Sequence, residues 1–116
     1  MGGIVFFRSL HLKEIEKFYI ERLGMQLWLR QQDCTILKHG NLMLGFCQRD
    51  GADVDAMITF VFNTKADIDE VYLRLTDIAE EEPKENAKYG IYQFFGKDPE
   101  GRILEFQVFL NQSNLR

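Results

Sequence analysis

A chain of 116 residues, 46% hydrophobic and 28% charged, is long enough for one soluble domain with a real core. A net charge of −4 with no basic stretch argues against a nucleic-acid partner, and no apolar run is long enough to cross a bilayer. Cys34 and Cys47 form neither a metal-binding spacing nor a disulfide framework, and no signal-peptide pattern opens the chain, so a reduced, cytoplasmic protein is expected.

Residues 4–10 (IVFFRSL) read as a strand, rich in β-branched and aromatic side chains. Leu12, Ile15, Phe18, Tyr19 and Leu23 recur at helical spacing, and Gly24 closes that helix. Residues 25–30, 34–38 and 42–48 read as three further strands, with His39, Gly40 and Asn41 turning between the last two. His11 starts the helix, and both histidines read as surface residues. Residues 49–55 are polar and Asp-rich, a solvated linker.

The pattern then restarts. Residues 57–62 (MITFVF) predict a strand, and Ile68, Val71, Tyr72, Leu75 and Ile78 a helix ended by Glu80-Glu81-Glu82-Pro83. A short strand follows within 83–88, then a hairpin over 89–96 and 102–110. The tail over 111–116 is polar and expected to fray. The element order of residues 4–48 is thus repeated over 56–110. The predicted fold is α+β: two tandem βαβββ modules in one domain, forming a curved, mostly antiparallel sheet with helices outside and a concave cavity.

The most informative stretch runs from Lys97 to Phe106. Asp98 and Pro99 start a turn and Gly101 supplies its positive φ. Beyond it, Leu104, Phe106 and Val108 point one way, while Ile103, Glu105 and Gln107 point the other. Glu105 is therefore an acid on a sheet face, a candidate base or ligand anchor. Arg8 and Arg30 are the cations offered to it. Arg8 shares a strand face with Ile4 and Phe6, where it would hold an anionic group or pair with Glu105, or else reach solvent.

Two motifs resemble the vicinal oxygen chelate superfamily, which includes glyoxalase I, extradiol dioxygenases and the bleomycin- and fosfomycin-resistance proteins. Phe18-Tyr19-Ile20-Glu21-Arg22-Leu23-Gly24-Met25 is similar to the family's FY-x-x-x-LG-[F/M]. Asp98-Pro99-Glu100-Gly101-Arg102-Ile103-Leu104-Glu105-Phe106 is similar to its DP-[DE]-G-x-x-[I/L]-E-[L/F]. The resemblance implies a homodimer and, in catalytic members, a divalent metal on the concave side. The four ligand slots it implies fall here on Ile4, Gly45, Met57 and Glu105, of which only Glu105 suits a hard or borderline metal.

The expectation is therefore a metal-independent protein that binds a small molecule. Glu105 is the anchor, also the one candidate catalytic residue, and Arg8, Phe6, Trp28, Met43, Cys47, Met57, Gln93, Phe95 and Gln107 are the wall. No cofactor is expected, and a divalent metal enters only in the alternative, a lyase or dioxygenase whose site is incomplete or completed by a partner chain. A non-catalytic protein-interaction domain is the third reading. The sequence leaves open whether the chain is an enzyme at all.

Overall fold

The computed structural model describes residues 1–111, so the expected fraying of the tail beyond them lies outside the described residues. The chain forms two compact units. The first comprises Met1–Asp55 together with Pro99–Gly101, and the second Ala56–Asp98 together with the chain from Arg102 onward.

In the first unit, β1 (Val5–Ser9) is followed by α1 (Leu12–Lys17), which runs into a π-helical turn over Phe18–Arg22. β2 (Gln26–Arg30), β3 (Cys34–His39) and β4 (Leu42–Gln48) complete it. The sheet order is β1-β4-β3-β2, with β1 parallel to β4 and the other pairs antiparallel. The second unit repeats this plan with β5 (Met57–Phe62), α2 (Lys65–Arg74), β6 (Lys84–Asn86), β7 (Ile91–Lys97) and β8 (Ile103–Phe109), in the order β5-β8-β7-β6. The α+β fold of two βαβββ modules is the one the sequence predicts.

Alternation along the strands decides which face meets the helix. In the first unit Leu37, Leu44 and Phe46 are buried with Ile15, Phe18 and Tyr19. The Tyr19 and Phe46 rings lie 4.9 Å apart, and Phe7 stacks on Phe46 at 5.6 Å. In the second unit Phe60, Phe94, Leu104 and Phe106 are buried with Ile68, Val71 and Leu75. Phe106 stacks on Phe94 at 4.8 Å and on Phe60 at 5.6 Å. Each such side chain contributes about 1.5–3 kcal/mol of burial.

α1 starts without a cap from its own N-terminal residue, since the His11 side chain makes no capping hydrogen bond. Gln48 Oε1 instead accepts from the Leu12 N–H at 2.9 Å, and Glu100 Oε2 accepts from the N–H groups of Leu10 and His11 at 2.9 and 2.8 Å. The bonds to His11 and Leu12 serve donors that a helix start leaves without intrahelical partners, and the bond to Leu10 holds the residue just before it. The same Glu100 oxygen accepts from the buried Ser9 hydroxyl at 2.9 Å.

α2 departs from expectation at its end. Thr64 caps its start by accepting from Asp67 N–H at 3.0 Å, but the helix stops at Arg74 rather than near Glu80. The reason is a competing backbone partner. Ala79 bridges to Gly96 and the Glu80 N–H donates to Phe95 C=O at 2.8 Å, drawing this segment onto the edge of β7. Gly96 permits the approach, because a Cβ there would stand 2.9 Å from the Ile78 carbonyl oxygen.

Candidate functional site on the second sheet

β8 is flanked by β5 and β7, and its register sets the site. Glu105 lies opposite Thr59 on β5 and Phe95 on β7, while Gln107 lies opposite Val61 and Gln93. Met57 and Lys97 flank Ile103 one step earlier. Because Leu104, Phe106 and Val108 face the core with α2, these residues share the face without a helix. Of the expected site residues, the strand registers bring Met57, Gln93, Phe95, Glu105 and Gln107 to one sheet face.

The centre of this face is polar and buried, although its edges are apolar and exposed. Glu105, Gln93 and Gln107 retain only 6%, 7% and 8% exposure, whereas Met57 and Val61 retain 58% and 49%. Thr59 Oγ1 donates to Glu105 Oε1 at 2.8 Å. Gln93 Oε1 is buried with no hydrogen-bond partner among the described residues. An unmet buried acceptor costs about 1–3 kcal/mol.

The equivalent position of the first unit is filled differently. Gly45 lies opposite Phe6 as Glu105 lies opposite Thr59. A Cβ at residue 45 would collide with the Phe6 ring, which covers the glycine. One repeat thus carries an acid and a hydroxyl where the other carries an aromatic ring laid on bare backbone. Met43 sits two residues before Gly45 on β4, partly exposed. Trp28 is 54% exposed at the register break between Leu27 and Leu29.

Four expectations change. Arg8 does not pair with Glu105: its Nε and Nη2 donate to Asp53 Oδ1 at 3.0 and 2.9 Å, and its N–H donates to Asp53 Oδ2 at 2.7 Å. Those bonds, with the charge of Asp53, hold the guanidinium pKa above its ordinary value. Asp53, expected in a solvated linker, is thus bound to the end of β1. Arg30 is likewise taken, by Glu16, with Nη2 donating to Oε2 at 2.6 Å. Finally, Cys34 and Cys47 form a disulfide. The hairpin register that pairs His39 with Leu42 runs on to set the two cysteines opposite each other, so Cys47 brings no free thiol to its strand face.

Among the described residues no group of three or more His, Cys, Asp or Glu side chains stands together to hold a metal ion. Ile4, Gly45 and Met57 offer no hard or borderline donor, and the strand neighbours of Glu105 are Thr59 and Phe95. These residues do not fit the divalent metal that the family resemblance implies.

Nothing in the sequence pattern singles out Thr59, since its partner lies 46 residues away. Its place two residues after Met57 on an alternating strand is the signal that points to the same face. The turn motif conceals a second device. Asp98 and Arg102 form an ion pair at 3.0 Å with both side chains fully buried, and Asp98 Oδ1 also accepts from the Arg102 N–H at 3.1 Å.

No family model matches the chain, and no curated protein matches it. Solved structures do. A glyoxalase/bleomycin resistance protein/dioxygenase family enzyme from Burkholderia phytofirmans PsJN superposes with a TM-score of 0.80 at 18% identity, over 92% of this chain and 97% of that one. A protein of the same description from Alicyclobacillus acidocaldarius gives 0.79 at 20% identity, over 99% and 96%. A lactoylglutathione lyase from Agrobacterium tumefaciens gives 0.75 at 22% identity, over 90% of each chain. The chain therefore has the glyoxalase/bleomycin-resistance/dioxygenase fold, that of the vicinal oxygen chelate superfamily. At these identities the likeness is one of fold, and chemistry is argued from the site.

Proposed function

We propose that the chain binds a small organic molecule on the helix-free face of its second sheet, with the Glu105 carboxylate as anchor. The observation that carries this reading is an acidic residue only 6% exposed, with one hydroxyl donor, Thr59, on one of its carboxylate oxygens. Acids are rarely buried without a partner or a use. Arg8 and Arg30, the two cations expected to neutralise it, are committed to Asp53 and Glu16. The bordering Met57, Val61 and Phe95 supply apolar contact area beside a few polar groups, the usual make-up of a ligand site.

The test is a thermal-shift screen of a diverse metabolite set against the wild-type protein and Glu105→Gln. Compounds that stabilise the wild type and lose that effect in the variant support the reading. A screen without stabilising compounds overturns it. Metal-dependent lyase or dioxygenase chemistry is not proposed, because the side chains around Glu105 do not make a metal cage.

The reading includes a homodimer that works without a cofactor; the cytoplasmic placement expected from the sequence stands against the Cys34–Cys47 disulfide, a bond rare in that compartment. Half-exposed Phe6, Leu27, Trp28 and Leu29 in the first unit support association, which light scattering on the purified protein tests. Alkylation of thiols in freshly lysed cells tests the compartment. Free Cys34 and Cys47 in the cell support the cytoplasm, and a closed disulfide speaks for an oxidising one.

A further inference from the structure

We infer that the ligand presents a cationic N–H group, an ammonium, amidinium or guanidinium, to a row of acceptors formed by Glu105 and Gln93. This inference rests on the small-molecule reading above and gives it a chemical class. It starts from hydrogen-bond supply on one strand face. An ionised carboxylate accepts only, and Thr59 serves Oε1, so the second oxygen has no donor among the described residues.

Gln93 Oε1 is a second acceptor without a donor, on a side chain 7% exposed. Its residue is opposite Gln107, and Gln107 is two residues along the same strand face from Glu105. Diagonal neighbours on a sheet face lie about 7–8 Å apart at Cα and somewhat less at Cβ, within reach of long side chains. One planar cation with several N–H groups spans such a gap.

Sign decides between the ligand classes. An anionic group could draw N–H donors only from the Gln93 and Gln107 amides, and it would meet the Glu105 charge at low dielectric. A metal ion would find one carboxylate where it needs three or four protein ligands. A cation with N–H groups meets both open acceptors, in charge-assisted bonds about twice as strong as neutral ones. The flanking Met57, Val61, Ile103 and Phe95 suit an apolar body attached to that group.

The test uses three probes with one aromatic ring and different heads: benzamidine, benzamide and benzoate. Their binding is followed by calorimetry and thermal shift on the full chain. Benzamidine is expected to bind, benzamide more weakly and benzoate not at all. Glu105→Gln is expected to weaken benzamidine about tenfold or more, and Gln93→Leu several-fold. Should Glu105→Gln fail to fold, Gln93→Leu carries the comparison, with far-UV circular dichroism confirming its structure.

Equal binding of benzamide and benzamidine, or benzamidine binding indifferent to Glu105→Gln, overturns the inference. So does binding of benzoate in preference to benzamidine. Where binding still depends on Glu105 the proposed function stands and only the cationic class falls, whereas binding indifferent to Glu105→Gln removes the anchor and overturns both. Absence of binding by all three, together with an empty metabolite screen, overturns both.

Discussion

The Phe6 ring occupies the space that a side chain at residue 45 would need, so Gly45 is glycine because its strand partner lies across it. Gly45→Ala is expected to cost about 1–2 kcal/mol, because the ring must swing away to admit the methyl. Phe6 is 53% exposed, so Phe6→Ala alone costs less than truncating a core aromatic. In the double variant the methyl meets no ring and the Gly45→Ala cost vanishes. Urea unfolding of the four proteins measures this coupling, and purely additive effects would refute the ring-over-glycine account.

Glu100 is expected to matter for the start of α1, although it lies about 90 residues away in sequence. Glu100→Ala leaves the buried Ser9 hydroxyl without this acceptor and releases two backbone donors. A loss of about 2 kcal/mol in chemical denaturation is the expected result. Faster amide exchange at Leu10 and His11 should accompany it.

Asp98 and Arg102 bury opposite charges inside one hairpin. Removing the guanidinium leaves the Asp98 charge buried without its counter-charge, so Arg102→Met is expected to destabilise by about 3–5 kcal/mol. Adding Asp98→Asn to that variant should recover part of the loss, because the buried side chain is then neutral. Thermal melts of the single and double variants decide it, and a double variant no better than the single one would count against the pair as the cause.

Glu16 gives stability a pH dependence of known sign. Hydrogen bonding from Arg30, aided by Thr35 and the Arg30 charge, lowers the Glu16 pKa against the opposing pull of burial. A carboxyl lowered in the folded state adds stability above its unfolded pKa and loses it as pH falls through the folded one. Glu16→Gln should therefore be less stable than wild type at neutral pH, by about 0.5–1 kcal/mol for a partly exposed pair. The gap should close as pH drops below the ordinary value of 4.5.

The disulfide closes a loop between cysteines 13 residues apart. Chain-entropy arguments give a loop of this size about 3 kcal/mol. Melting with and without a strong phosphine reductant measures it. Cys34→Ser with Cys47→Ser should match the reduced protein and show no response to reductant.

The fold was legible because its signals are local. Alternation over residues 103–108 separates core from open face without knowledge of any other strand. The spacing of Ile15, Phe18 and Tyr19 does the same for α1. Glu105 was visible for that reason and through its motif. Its partner Thr59 was not, since which residues meet across β5 and β8 depends on register. The same holds for Arg8 with Asp53 and for Cys34 with Cys47, whose pairings follow from where the chain turns. The early end of α2 reflects competition with the edge of β7, which no helical period encodes.

The first unit is not a continuous stretch of chain, because Pro99–Gly101 belongs to it although β7 and β8 on either side belong to the second. The sequence repeats as two halves, yet cutting after Asp55 would not yield two independent products. The leading fragment would lack the carboxylate that serves Ser9, Leu10 and His11. Its completion would have to come from a separate strand of polypeptide, so the halves behave as a lock and its key cast in one piece.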